Sequence, residues 1–194
     1  DSQHMKISDF DFIVSRGCGG GNQKAGAYFI DEAYVKQCHD YETPHPSSLG
    51  PCIAYDLAKE NGIAAYVYDA EGVNEFNKYS YLSGNKEFPI IHACHTLNAK
   101  AVCRKAARML GGAYEDCNFV VCHMGGGVTT SAHVHGKIVD VTADAYSPER
   151  GGSIPMLGVI SYLQVCFSGK YDQRQMLKKT IGEGGLVSYL GTSN

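Results

Sequence analysis

Three consecutive glycines, Gly125, Gly126 and Gly127, interrupt a β-branched and aromatic run from Phe119 to Cys122, and Val128 with two threonines then resumes the extended pattern. This reads as two strands joined by a tip without Cβ atoms. Backbone N–H groups at such a tip can approach a ligand closely and converge on an anion, and a polyphosphate suits them; the alternative is a tight turn and nothing more. His123 stands two residues before the tip. A second anion-holding group is Arg16, which a short strand over residues 10–15 delivers beside the glycine-rich stretch Gly17 to Gly21; the alternative is a solvated surface arginine. Asp69 closes an apolar run at what would be a strand's carboxyl end, where α/β sheets gather ligand-binding groups, although a turn-forming or capping aspartate fits as well. The histidines point less clearly. His92, Cys94 and His95 lie close together, but neither their spacing nor a second cluster supports zinc. His133 and His135 share one strand face by alternation and are expected to be exposed strand histidines rather than a metal pair.

A sheet with helices is needed to position these groups. Ser47 or Ser48 caps a helix in which Leu49, Ile53 and Leu57 recur every four residues and Gly62 is the stop; a strand over 63–68 follows. The order strand, loop, helix, strand predicts an α/β fold. A polar and aromatic stretch from about Glu71 through Gly84 marks the crossing into a second domain. The clearest helix covers 98–110, with Ala99, Val102, Ala106, Met109 and Leu110 on one face and Gly111 and Gly112 as its end. After the glycine hairpin, residues 131–135 continue a strand, Gly136 and Lys137 turn, and 138–141 return antiparallel. Pro155 opens a helix carrying Leu157, Ile160, Leu163 and Phe167 on one face, and a last helix over 173–181 turns Met176 and Leu177 inward.

Composition excludes several classes. With 194 residues and 44% hydrophobic content the chain can bury a sizeable core, and a net charge of −3 argues against nucleic acid or a membrane surface as partner. No apolar run is long enough to span a bilayer, and the opening residues lack the core of a signal peptide, so a cytoplasmic location is expected. The eight cysteines are irregularly spaced without a Cys-x-x-Cys pair, which points to reduced, mostly buried thiols.

The run from Asn118 to Gly127, followed by Ser147-Pro148-Glu149-Arg150-Gly151-Gly152 and Cys166-Phe167-Ser168-Gly169-Lys170-Tyr171, resembles the acetate and butyrate kinase family, its butyrate kinase branch above all. The likeness continues through Arg16-Gly17, Gly26-Ala27-Tyr28, residues 45–50, residues 98–102 and residues 184–192. It implies the two-lobed, ribonuclease H-like α/β fold shared with hexokinase, Hsp70 and actin. Residues 1–70 would be the later part of a first, acyl-substrate lobe, and 71–194 the earlier part of a second, nucleotide-phosphate lobe. The chain starts without an initiator Met and stops where the family continues, so a fragment lacking both ends is expected, with the adenosine pocket beyond Asn194.

The activity implied is reversible transfer of the γ-phosphoryl of ATP to a short-chain carboxylate, butyrate first, giving an acyl phosphate and ADP with Mg²⁺ as the accompanying cation. By the same resemblance, Arg16 orients the acid with His45 on its side of the cleft. Arg150 and His95 stabilise the transferring group, Asp69 helps hold the magnesium, and His123 with Gly125, Gly126 and Gly127 cradles nucleotide phosphates. The resemblance further implies a homo-oligomer when full length. Two departures, a shortened segment between Asp140 and Ser147 and the glycine-rich loop after Arg16, leave two alternatives: an actin- or Hsp70-like nucleotide-binding scaffold, or a catalytically silent remnant.

Overall fold

A computed structural model describes residues 5–17, 22–40, 46–142 and 159–192. By backbone contacts the chain divides into two compact units, Asp1–Glu75 with His95–Gly112, and Phe76–Cys94 with Ala113–Asn194.

The first unit is built on a three-stranded sheet of order β1-β3-β2, with β1 at Phe12–Ser15, β2 at Ala27–Phe29 and β3 at Ala64–Tyr68. β1 runs parallel to β3, pairing Ser15 with Val67, so residues 16 and 69 emerge at the same carboxyl edge. β2 pairs antiparallel with β3. Helix α1, Glu32–His39, is capped by Asp31, whose side chain accepts the Tyr34 N–H. Helix α2, Leu49–Asn61, ends on Gly62 at φ 67°, a left-handed cap that glycine adopts without strain. The predicted extent of α2 holds, but its inward face does not. Pro51, Ala54 and Ala58 are buried, whereas Leu49 and Ile53 are more than half exposed. Small side chains let α2 sit close on the sheet, where Ala54 and Ala58 join Ala65, Val67, Ile30, Tyr34, Cys38 and Ala70 in one core. On the sheet's other face Tyr66 lies edge-on between Phe12 and Phe29.

Helix α3, Thr96–Met109, belongs to this unit and begins two residues earlier than expected. It buries Thr96, Ala99, Lys100, Cys103 and Ala107, while Val102, Met109 and Leu110 are exposed. A buried lysine on that face is possible because Lys100 Nζ lies 2.6 Å from a Glu75 carboxylate oxygen.

The second unit carries the meander β4 (Asn118–Met124), β5 (Val128–Val134) and β6 (Lys137–Thr142), antiparallel throughout, as the alternation predicted. The β5–β6 turn falls at His135 (φ 47°) and Gly136 (φ 79°), one residue before the expected position, so His135 leaves the strand. A bulge between Ala132 and His133 sets Val139 out of register. The Val139 carbonyl is satisfied instead by the Asn77 N–H, the Asn77 side-chain amide and the Ser80 hydroxyl. His133 is not exposed, as expected from sequence, but 1% accessible. Its Nδ1 lies 2.6 Å from the Tyr114 hydroxyl and its Nε2 2.8 Å from Ser131 Oγ, which fixes it as a satisfied core histidine.

Helices α4 (Val159–Phe167), α5 (Gln173–Thr180) and α6 (Leu186–Leu190) complete this unit. α5 opens on a capping box formed by Asp172 and Gln175. Met176 is buried as predicted, but Leu177, Ile160, Leu163 and Phe167 face outward. Glu87 gathers Tyr171 (2.7 Å), Lys170 (3.2 Å) and Lys179, which together hold its carboxyl at a pKa of about 2, the Lys179 hydrogen bond contributing most. None of the described helices is long and apolar enough to cross a membrane.

Candidate functional site

Arg16 is placed by two glycines. At Gly50, in the first turn of α2, a Cβ would lie 2.4 Å from the Arg16 carbonyl oxygen and 2.9 Å from Ser15 Oγ. At Gly17 a Cβ would lie 2.4 Å from the Ser47 carbonyl oxygen and 2.6 Å from Pro51 Cδ. The helix start and the exit of β1 therefore touch backbone to backbone, a separation that only glycine allows. Ser15 Oγ donates to the Arg16 carbonyl at 2.8 Å and tightens the same turn. The guanidinium projects from it into solvent, 74% exposed, and meets Glu71 at 3.3 Å. An arginine held at the carboxyl edge of parallel strands is well set to take a carboxylate or phosphate oxygen.

Asp69 lies at the same edge but is differently occupied. It is 1% exposed and adopts φ 43°. Its N–H donates to the Gly26 carbonyl (3.0 Å), and Oδ1 accepts the Gly26 N–H in return (2.9 Å). Oδ2 receives Arg104 Nη1 at 2.8 Å, and the Arg104 guanidinium also lies over the Tyr68 ring. Both carboxylate oxygens thus have protein donors. A magnesium ion needs open oxygen ligands and close octahedral approach, and a carboxylate already bound to a guanidinium does not fit that need as it stands. Among the described residues no group of three or more His, Cys, Asp or Glu side chains is placed to hold a metal.

His95 is the N-cap residue of α3, half-buried, and its carbonyl accepts the first intrahelical bond from Ala99. His92 has a packing role. It stacks on Phe76 (4.6 Å) and Tyr81 (5.1 Å), its Nε2 lies 2.9 Å from the Ser80 carbonyl, and burial lowers its pKa. In the second unit, the tip between β4 and β5 consists of Gly125, Gly126 and Gly127. The Gly125 N–H closes the turn onto the Gly127 carbonyl (2.9 Å). The His123 imidazole lies over the tip, its Nε2 3.0 Å from where a Cβ on residue 125 would stand, whereas a Cβ at Gly126 would meet nothing within 4 Å. Gly126 is thus the point of closest access for a ligand. His45 and Arg150 lie outside the described residues.

Two residues at the first site escaped sequence reasoning, Arg104 and Glu71. A signal for Arg104 existed: Lys100 and Arg104 stand one turn apart on a helix whose small residues Ala99, Cys103 and Ala107 mark the inward face. The larger apolar residues on the opposite face obscured it. The seven cysteines among the described residues are thiols, with Cys38, Cys94 and Cys103 buried and Cys122 exposed; burial raises the Cys103 pKa to about 11.

No family model matches the chain. It is 38% identical over 198 aligned residues to butyrate kinase 2 of Clostridium acetobutylicum, an alignment that takes in 99% of this chain and 55% of that protein. The chain therefore spans about half the length of the curated relative it matches. Among solved structures, acetate kinase of Porphyromonas gingivalis superposes with a TM-score of 0.60 at 16% identity, over 97% of this chain and 50% of that one. Acetate kinase of Entamoeba histolytica gives 0.59 at 16% identity, over 96% and 50%. A propionate kinase of Francisella tularensis gives 0.55 at 15% identity, over 91% and 49%. At such identities the structures speak for the fold alone, which is α/β and that of the acetate and propionate kinases. The sequence alignment runs across nearly every residue of the chain, and with it the chain belongs to the acetate and butyrate kinase family.

Proposed function

We propose that the protein to which this chain belongs transfers the γ-phosphoryl of ATP to a short-chain carboxylate, with butyrate the preferred acid. The observation that carries the proposal is the 38% identity to a butyrate kinase across 99% of the chain. It is supported by an arginine set at the carboxyl edge of β1 and β3 and by the bare glycine tip under His123.

The chemistry asks little of a base. A carboxylic acid with a pKa of about 4 is already ionised at neutral pH. A carboxylate oxygen attacks the γ-phosphorus, the bond from that phosphorus to the β–γ bridging oxygen breaks, and ADP leaves with the electron pair. The protein's task is to bring two anions together and to stabilise a planar phosphoryl group in flight. Arg16 binds and orients the acid, with His45 on the same side. His95 and Arg150 offset charge on the transferring group. Gly125, Gly126 and Gly127 with His123 receive nucleotide phosphates. A divalent cation carried with the nucleotide would add charge neutralisation, and no step is assigned to it through Asp69, whose oxygens are taken.

The test is acyl-phosphate formation, trapped as the hydroxamate, by this protein together with whatever coding sequence flanks it, across acids of two to five carbons. Product peaking at four carbons is expected, with Arg16→Ala lowering turnover by roughly 10²–10³-fold, as removal of a single transition-state donor does elsewhere. ATP hydrolysis indifferent to every acid would refute the proposal and favour a nucleotide-binding scaffold.

A further inference from the structure

Asp69 and Arg104 form a buried pair whose geometry is not that of a vacant ligand site. The aspartate ends β3 in a left-handed conformation, an unfavourable one for a non-glycine residue, and is held there from three directions. Two bonds exchanged with Gly26 tie it to the entry of β2, and the 2.8 Å contact to Arg104 ties it to α3. An ionised carboxylate without solvent access needs a compensating cation, and Arg104 supplies it. Presenting Oδ2 to a magnesium ion would strip Asp69 of that partner and leave a guanidinium facing a dication. Arg104 sits nine positions after His95 on the same helix, roughly 13 Å along the axis at 1.5 Å per residue. The pair therefore joins the helix that begins at His95 to the sheet edge from which Arg16 emerges.

We propose that Arg104 is a positioning residue, which through Asp69 locks α3 and the Gly26 segment onto the end of β3, and that Asp69 serves this latch and does not ligate the cation. The kinetic part rests on the carboxylate-phosphorylating function proposed above; the latch itself does not.

Two measurements separate these. The first uses the hydroxamate assay on Arg104→Ala, Arg104→Lys and Asp69→Asn. A loss of roughly 10- to 100-fold in kcat is expected for Arg104→Ala and Asp69→Asn, the scale set by misplacing a reacting group by about 1 Å. The Mg²⁺ concentration for half-maximal rate stays within about twofold, and millimolar guanidinium ion restores rate to Arg104→Ala but not to Asp69→Asn. Arg104→Lys, which keeps the charge and the fold, gives an intermediate kcat. The second measurement needs no turnover: amide hydrogen exchange on the 194-residue chain, where Arg104→Lys should speed exchange both around Gly26 and in the first turn of α3.

A rise of tenfold or more in the Mg²⁺ requirement of Asp69→Asn alone would overturn the inference and return the aspartate to the metal. Unchanged kcat in Arg104→Lys and Arg104→Ala below their melting temperatures would overturn it too, leaving an ion pair that only stabilises. If no acid is phosphorylated even by the unaltered protein, the proposed function fails and exchange alone decides: faster exchange in both segments upholds the latch, and a change confined to α3 refutes it.

Discussion

Replacing Gly50 with alanine sets two effects of opposite sign against each other. Alanine is favoured over glycine inside a helix by about 1 kcal/mol, and α2 begins at Leu49, so a propensity argument predicts stabilisation. The new Cβ, however, would stand 2.4 Å from the Arg16 carbonyl oxygen and 2.9 Å from Ser15 Oγ. Carbon and oxygen settle at roughly 3.3 Å or more, so the strand exit and the helix start must separate by about 1 Å. The nearer neighbour is backbone and cannot rotate away. Overpacking of this kind costs about 1–3 kcal/mol, and the propensity gain is smaller in a first turn than in a helix interior, so the clash wins by about 1–2 kcal/mol. Thermal unfolding followed by circular dichroism should show a drop of about 2–8 °C, at 2–4 °C per kcal/mol for a chain of this size. Because the moving atoms belong to Arg16, kcat/KM for the acid should fall by roughly tenfold or more while KM for ATP stays unchanged. A melting temperature equal to or above that of the unaltered protein, with acid kinetics intact, would refute the backbone crossing as the device that places Arg16.

The glycine tip makes a finer comparison. Gly126→Ala meets nothing within 4 Å and should leave stability within about 0.5 kcal/mol, yet weaken ATP binding measured by titration calorimetry. Gly125→Ala presses on His123 Nε2 at 3.0 Å and should affect both; equal ATP affinity in all three proteins would remove the tip from the phosphate site. Glu87 predicts a pH dependence. Its pKa of about 2 lies below the unfolded value near 4.5, so its stabilisation is complete above pH 4.5 and disappears as pH falls towards 2. Its lysine partners are solvent-facing, and screening limits the contribution to about 1 kcal/mol. Glu87→Gln should therefore lower urea stability at pH 6 by that amount and by nothing near pH 2; a difference persisting at pH 2 would assign the effect to packing.

Sequence by itself determined the order of elements, because strand and helix periodicity and glycine stops are local properties. It placed the β4–β5 hairpin at Gly125, Gly126 and Gly127, set α2 to end at Gly62, and brought Arg16 and Asp69 to strand ends. Through ordered matches it also carried the family. It did not determine which helix faces turn inward. The rule that large apolar residues face the core assigned Leu49, Ile53, Val102 and Met109 to the interior, and all four are exposed, because α2 and α3 pack through alanines, Cys103 and a neutralised Lys100. Nor could alternation tell a buried His133 from an exposed one, since the outcome depended on Tyr114, nineteen residues away, reaching its Nδ1. Asp69 shows the limit most plainly. Its position at the end of a strand was legible, but whether its carboxylate stands open to a cation depended on Arg104, thirty-five residues further on, and on a Gly26 amide that only the folded sheet brings within 3 Å. Tertiary structure decides such questions because a charge takes its role from the partners that compensate it, and those partners are set by packing between segments far apart in the chain.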